Sequence, residues 1–65
     1  MENRLRVLRA ERCISQEALA KLAGLSRVTV NRVERGTHIP DGRTMMKLAQ
    51  ALGRPVADLF PALLA

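Results

Sequence analysis

The side chains best suited to recognising a ligand lie within one short segment near the middle of the chain. Arg27, Asn31 and Arg32 recur there at spacings that place them on one side of a helix, with Val28 beside them. Either arginine can fork onto the two acceptors of a guanine edge, and Asn31 can either pair with adenine or hold a phosphate. An exposed valine can contact a thymine methyl group. The segment therefore predicts a helix whose outer face reads base pairs.

The residue types that serve as nucleophiles, bases or metal ligands are few and unconnected. The candidate catalytic groups are Ser26, His38, Asp41 and Cys13, and no nucleophile elbow, phosphate loop or metal-ligand spacing joins them. A chain of 65 residues also leaves little room for a pocket. We therefore expect no enzymatic activity, no metal and no cofactor.

The charge balance favours a polyanionic partner. Eleven lysines and arginines against six acidic residues give a formal net charge of +5. Phe60 is the only residue of the phenylalanine, tyrosine and tryptophan types, whereas proteins that bind single strands need several aromatic platforms for base stacking. The expected partner is therefore double-stranded DNA.

Length and cysteine usage limit the class of protein further. Sixty-five residues form one domain at most, so residues 1–65 are interpreted as a single domain. Cys13 is the only cysteine, which fits a reducing compartment, and no apolar run approaches the ~20 residues of a membrane span. The sequence therefore predicts a cytoplasmic protein without a membrane partner.

Apolar residues recur at helical spacing along the whole chain, and glycine and proline separate the segments, so the predicted fold class is all-α. Ser15, Ser26 and Asp41 are residue types that cap helix N-termini, and Asn3 is a further candidate. The predicted helices span residues 3–12, 15–23, 26–35, 41–52 and 56–60. The predicted apolar stripe of the second helix consists of Leu19, Ala20, Leu22 and Ala23, and that of the fourth of Met45, Leu48, Ala49 and Leu52.

Residues 16–36 combine the second and third of these helices around Gly24. Ala20 is small where the two helices must cross, and Val30 and Val33 form the inner face of the later helix. This combination is typical of a helix-turn-helix motif, whose second helix lies in the major groove.

The motif and its flanks resemble the phage Cro/repressor family, also called the xenobiotic-response-element type. The matching residues are Gln16, Leu19, Ala20, Gly24, Ser26, Val30, Val33 and residues 34–36, with flanking matches at Leu8, Arg9, Pro40 and residues 48–53 and 58–60. The resemblance extends over nearly the whole chain, to about Pro61. It implies a compact five-helix, lambda-repressor-like DNA-binding domain.

The function implied by the resemblance is that of a sequence-specific transcription regulator, either a repressor or a Cro-like switch. The alternative is an antitoxin or a restriction–modification controller that regulates its own operon, with a toxin or another protein as partner. A protein-interaction module that has lost DNA binding is the third hypothesis. The arginines and the asparagine of the outer face argue against that module.

The resemblance also implies roles for individual residues. The positions of Arg27, Val28 and Arg32 commonly touch base edges in the family, and Gln16 occupies a position that holds phosphate. A helix N-terminus such as that at Gln16 attracts phosphate in any case. The other expected phosphate contacts are Ser26, Thr29, Arg35, Thr37, His38 and Arg43. Arg9 and Glu34 are expected to pair and thereby to orient the recognition helix.

Cys13 departs from the pattern, because the family usually has a glycine where the first helix ends. A left-handed backbone at a non-glycine residue costs roughly 1–2 kcal/mol. The predicted end of the first helix depends on whether Cys13 adopts that conformation.

The C-terminal segment, residues 56–65, carries apolar residues without polar cover. An exposed apolar patch on so small a domain predicts a partner. The expected partner is a second copy of the chain, and the dimer would read two half-sites about 34 Å apart. The predicted dimerisation residues are Val56, Leu59, Phe60, Leu63 and Leu64; the alternative is that Leu63 and Leu64 fold back onto the core.

Overall fold

The computed structural model describes the backbone of residues 1–64 and the side chains of residues 1–62. Its α-helices are α1 (Leu5–Glu11), α2 (Gln16–Ala23), α3 (Arg27–Glu34), α4 (Gly42–Leu52) and α5 (Val56–Leu59), followed by a 3₁₀ helix (Pro61–Leu64). Residues 1–64 contain no strand. The predicted all-α fold with five helices is therefore confirmed.

Three helices begin at the side-chain caps that the sequence predicts. Ser15 Oγ accepts a hydrogen bond from the Ala18 N–H at 3.0 Å, and Ser26 Oγ accepts one from the Thr29 N–H at 3.1 Å. Asp41 Oδ1 accepts a 2.8 Å bond from the Thr44 N–H. This backbone bond, and then a bond from the Thr44 side chain, lower the pKa of the Asp41 carboxyl. Each cap satisfies one N–H of the first turn that has no partner within its helix.

The first helix is shorter than predicted at both ends. It begins at Leu5, although Asn3 Oδ1 still accepts a 3.1 Å bond from the Leu5 N–H. The amide nitrogen of the same Asn3 side chain donates to the Val33 carbonyl of α3. The helix ends at Glu11, and Cys13 has a φ of 55°, so the left-handed conformation considered for this position is present.

The hydrophobic core collects one face of every helix. Its fully buried or nearly buried residues are Leu5, Leu8, Leu19, Ala20, Ala23, Val30, Val33, Met45, Leu48, Ala49, Leu52, Leu59 and Phe60. The predicted stripe of α4 is confirmed. The assignment of Leu22 to the stripe of α2 is wrong, because its side chain is 63% exposed. Leu22 lies two positions after Ala20 and therefore points about 200° around the helix from it.

The predicted dimerisation surface at the C-terminal segment needs a correction. Leu59 and Phe60 are 0% exposed, so both belong to the protein's own core and present nothing to a second copy. The Leu59 carbonyl also accepts a 2.8 Å bond from the Arg4 N–H, which ties α5 to the start of α1. Val56 is half-buried. The side chains of Leu63 and Leu64 lie outside the described residues.

None of the helices in the described part of the chain combines the length and the apolar character that a membrane span requires.

Candidate nucleic-acid interface

The turn between α2 and α3 fixes the position of the candidate recognition helix, α3. Gly24 has a φ of 69°, and the Leu25 N–H that follows donates a 2.8 Å bond to the Ala20 carbonyl. A Cβ atom on Gly24 would meet no other atom within 4 Å. The glycine is therefore required for its left-handed backbone and not for space. Val30 and Val33 are fully buried on the inner side of α3.

The outer side of α3 carries the side chains that the sequence assigns to base reading. Arg27 and Arg32 are exposed, Asn31 is half-buried, and Val28 is 55% exposed. Neither arginine forms an ion pair with any other residue whose side chain is described. The arrangement leaves two guanidinium groups, a carboxamide and a methyl-bearing side chain available to a ligand on one face of α3.

Gln16 is the residue of α2 that lies beside this face. Asn31 Nδ2 donates a long hydrogen bond of 3.4 Å to Gln16 Oε1. Because the bond occupies the carbonyl oxygen of Gln16, the amide nitrogen of the same side chain is left to donate to an anion. The two carboxamides therefore link the start of α2 to the outer side of α3.

Arg9 and Glu34 form the ion pair expected from the sequence. Arg9 Nε and Nη2 donate to the two carboxylate oxygens of Glu34 at 2.9 and 3.2 Å, and Arg9 Nη1 donates to the Ile14 carbonyl at 2.9 Å. The Glu34 side chain is only 4% exposed and that of Arg9 is 18% exposed. This two-pronged geometry joins α1 to the last residue of α3 and limits how α3 can rotate.

A second contact on the end of α3 has no counterpart in the predictions. Asn3 Nδ2 donates to the Val33 carbonyl at 2.6 Å and to the Met1 carbonyl at 3.1 Å, and the Met1 amino group donates to the Gly36 carbonyl at 2.8 Å. A Cβ atom on Gly36 would lie 3.2 Å from the Met1 carbonyl oxygen, so the N-terminal residues pack closely there. We call the contacts of Met1 and Asn3 with α3 and Gly36 the N-terminal clasp.

The remaining predicted phosphate contacts differ in how free their polar atoms are. The Thr37 hydroxyl donates to the Arg32 carbonyl at 3.2 Å, so while that bond holds it has no proton for a phosphate. Ser26 Oγ and Thr29 Oγ1 lie 2.9 Å apart and share one hydrogen bond. Arg35, His38 and Arg43 are exposed. Their roles stay predictions, as does that of Gln16.

Comparison with known families identifies the fold that presents this face. A family model described as helix-turn-helix matches residues 5–59. The chain belongs to the helix-turn-helix family. The Cro/repressor resemblance of the sequence is thereby confirmed, and the match includes every α-helix from α1 to α5.

Solved structures of helix-turn-helix proteins superpose closely on the chain. The restriction–modification controller protein C.AhdI from Aeromonas hydrophila has a TM-score of 0.82 and 44% identity, over 85% of this chain and 83% of that one. The P22 c2 repressor in complex with a synthetic operator has a TM-score of 0.78 and 33% identity, over 83% of this chain and 82% of that one.

Relatives similar in sequence are named as regulators. An HTH-type transcriptional regulator of Methanocaldococcus jannaschii is 37% identical over 60 residues, which are 92% of this chain and 91% of the relative. The transcriptional repressor RstR of the cryptic phage CTXphi of Vibrio cholerae is 39% identical over 57 residues, which are 88% of this chain and 51% of the relative.

The N-terminal clasp is the part of this helix-turn-helix domain that local sequence reasoning missed. Asparagine is a common cap residue, and its spacing to Leu5 fits a cap, so the sequence predicts only that role. The second partner of Asn3, the Val33 carbonyl, lies thirty residues further along the chain. No local pattern signals a contact at that separation.

Proposed function

We propose that this DNA-binding transcriptional regulator is a repressor that seats α3 in the major groove of a specific operator. The observation that carries the proposal is that one side of α3 is buried and the other is accessible. Val30 and Val33 are buried against the core, while Arg27, Val28 and Arg32 remain accessible on the other side. The similarity to the P22 c2 repressor, which was solved with an operator, and to the repressor RstR supports this function.

Base recognition is assigned to the outer face of α3. Arg27 or Arg32 takes a guanine edge in a two-pronged contact, and each such contact contributes roughly 1–3 kcal/mol of discrimination. Val28 contacts a thymine methyl. Asn31 reads adenine or, through its bond to Gln16, helps to hold a phosphate.

Backbone contacts are assigned to residues that flank this face. Gln16 donates its amide nitrogen to a phosphate, and the positive end of the α2 dipole adds to the attraction. Arg35 and Arg43 contribute charge. The other proposed backbone contacts are Ser26, Thr29, Thr37 and His38. These contacts fix the register of α3 without specifying sequence.

The proposal includes a homodimer on a two-fold symmetric operator. One α3 reads only a few base pairs, and two copies one helical turn apart supply the length of a specific site. With Leu59 and Phe60 buried, the candidate surface moves to an apolar recess of about 300 Å³ that Val56 shares with α4. Met46, which is 56% exposed, lies at this recess.

Selection of bound duplexes from a random pool tests the proposal. The expected product is one enriched sequence with two-fold symmetry, whose affinity falls steeply as salt rises because several phosphates are neutralised. The matched comparison is a variant in which Arg27, Asn31 and Arg32 are alanine, which should bind every duplex weakly and equally. Purified protein that enriches no sequence at low ionic strength would refute the repressor function.

A second candidate function is control of a restriction–modification operon. The similarity to C.AhdI at 44% identity favours it. In that case the enriched sequence should occur upstream of the protein's own gene, beside genes for a nuclease and a methyltransferase. Footprinting on that upstream segment, together with the identity of the neighbouring genes, decides between the two functions, because a protected segment without those two genes would contradict control of a restriction–modification operon.

A further inference from the structure

A recess of about 360 Å³ opens between α1, α2 and α3 beside the base-reading face. Its lining residues are Arg6, Arg9, Gln16, Asn31, Glu34 and Arg35. Gln16 and Asn31 also line a smaller recess of about 200 Å³ together with Arg27 and Val28. The two recesses therefore form one continuous surface that leads from the base-reading residues to α1.

The chemistry of the larger recess is that of an anion site. Glu34 is its only carboxylate, and both of its oxygens are bound by Arg9. This pairing leaves Arg6 and Arg35 as the uncompensated charges, and neither forms an ion pair with any described side chain. The Gln16 amide nitrogen adds a neutral donor. Two guanidinium groups and an amide around one recess match the acceptor oxygens of a phosphate.

Arg6 reaches the recess because of its register on α1. It precedes Arg9 by three residues and therefore lies on the same side of the helix, one turn earlier. The ion pair of Arg9 with Glu34 fixes that side of α1 against α3. Arg6 is exposed and has no other described partner, so nothing in the fold explains its place at the recess.

We propose that this recess binds one phosphate of the bound duplex and that Arg6 is a phosphate ligand. The inference rests on the proposed function, because a duplex seated on α3 must first lie against Gln16 and Asn31, the residues common to both recesses, if its backbone is to contact Arg6. Arg6 extends the backbone contacts from the helix-turn-helix motif onto α1. Its contribution is to affinity and salt dependence and not to the choice of base.

The test compares Arg6→Gln with Arg4→Gln on the selected operator. Both variants lose one positive charge near the start of α1, but Arg4 precedes the helix and lines a different recess, beside Pro61 and Ala62. Arg6→Gln should reduce the slope of log affinity against log salt by about 0.9 per half-site, or about 1.8 on the two-fold operator, which makes the loss between about 50 and about 200 mM salt about 12-fold smaller. Arg4→Gln should keep the wild-type slope, and both variants should keep the wild-type base preference.

A duplex series with one neutral methylphosphonate at each backbone position locates the phosphate. At one position per half-site, the neutral group should weaken the wild type and Arg4→Gln clearly more than Arg6→Gln, because Arg6→Gln has already lost one of the two guanidinium groups at the recess. Equal slopes for the two variants, or no position with this coupling, would overturn the recess while the repressor function stands. Wild-type protein that ignores duplex DNA overturns both.

Titration of the DNA-free protein with inorganic phosphate tests whether the ligand of the recess is a free anion or a phosphate of the DNA backbone. Under the proposal, operator DNA should shift the Arg6 side-chain NMR signals, and inorganic phosphate at the same concentration near physiological ionic strength should shift them far less. Signals that shift with inorganic phosphate alone and not with the operator would contradict a DNA-backbone ligand.

Discussion

Under the proposed function, the side chains of the DNA interface divide into those that set sequence preference and those that set affinity. Arg32 lies on the outer face of α3, whereas Arg43 lies in the first turn of α4, and both side chains are exposed. A guanidinium on a base edge discriminates, and one on a phosphate attracts any sequence alike. The two arginines therefore make a matched pair, because each substitution removes the same chemical group.

Arg32→Ala should relax preference at one base pair per half-site, at a loss of roughly 1–3 kcal/mol per half-site on the best sequence. Arg43→Ala should weaken all sequences alike and reduce the salt slope by about 0.9 per half-site. Both are measured by titrating the selected operator and its single-base variants at several salt concentrations. Unchanged base preference in Arg32→Ala would show that this residue is not a base contact.

Cys13 carries backbone strain that a substitution can relieve. Its φ of 55° lies in the left-handed region, which costs a non-glycine residue roughly 1–2 kcal/mol. Cys13→Gly should raise the free energy of unfolding by about 1 kcal/mol and Tm by about 4–8 °C. Cys13→Ala is the control, because it removes the thiol and keeps the strain. Equal Tm values for the two variants would show that the strain is not the cause.

At the scale of helices, the sequence predicted the helix ends that depend on neighbouring residues and missed the features that depend on contacts between distant parts of the chain. The starts of α2, α3 and α4 follow from Ser15, Ser26 and Asp41, since a cap bonds only three residues ahead. The start of α1 lies two residues after the predicted one, and the bond from the Asn3 amide nitrogen to α3 was not predicted. Leu22 fits the apolar composition of α2, but its exposure depends on which helices pack beside it.

The N-terminal clasp makes a prediction about how α3 is held. Asn3→Ser keeps a good cap residue for α1 but is too short to reach the Val33 carbonyl. We expect a loss of about 1–2 kcal/mol in the free energy of unfolding, because the bonds to Val33 and Met1 are removed. Denaturant unfolding measures it, and faster amide exchange at the end of α3 should accompany it. A variant as stable as the wild type would mean that Asn3 serves only as a cap.

For the whole molecule, the sequence predicted which residues form the core of α2 to α4 better than which residues stay exposed on the surface. The match between Val30, Val33 and the helix-turn-helix pattern allowed the buried and exposed sides of α3 to be predicted, whereas base reading by the exposed side stays a prediction. Leu59 and Phe60 were assigned to a dimer surface, but α5 has only four residues, too few for a helical period to show which side is buried. Their burial depends on packing against the other helices, which a local pattern does not encode.

The revised dimer surface is tested by placing a charge at its exposed apolar residue. Met46→Glu should raise the dimer dissociation constant at least ~10-fold, because a carboxylate loses water when the interface forms. Leu22→Glu is the matched control, since Leu22 is 63% exposed on α2 and Met46 is 56% exposed on α4. Sedimentation equilibrium measures the association directly.

Met46→Glu should also lower affinity for the full operator while affinity for an isolated half-site stays unchanged. If both variants dimerise like the wild type, the copies meet through another surface. If the wild type stays monomeric on the full operator, each half-site is read by an independent molecule, and symmetry in the selected sequence would have to arise without a protein interface.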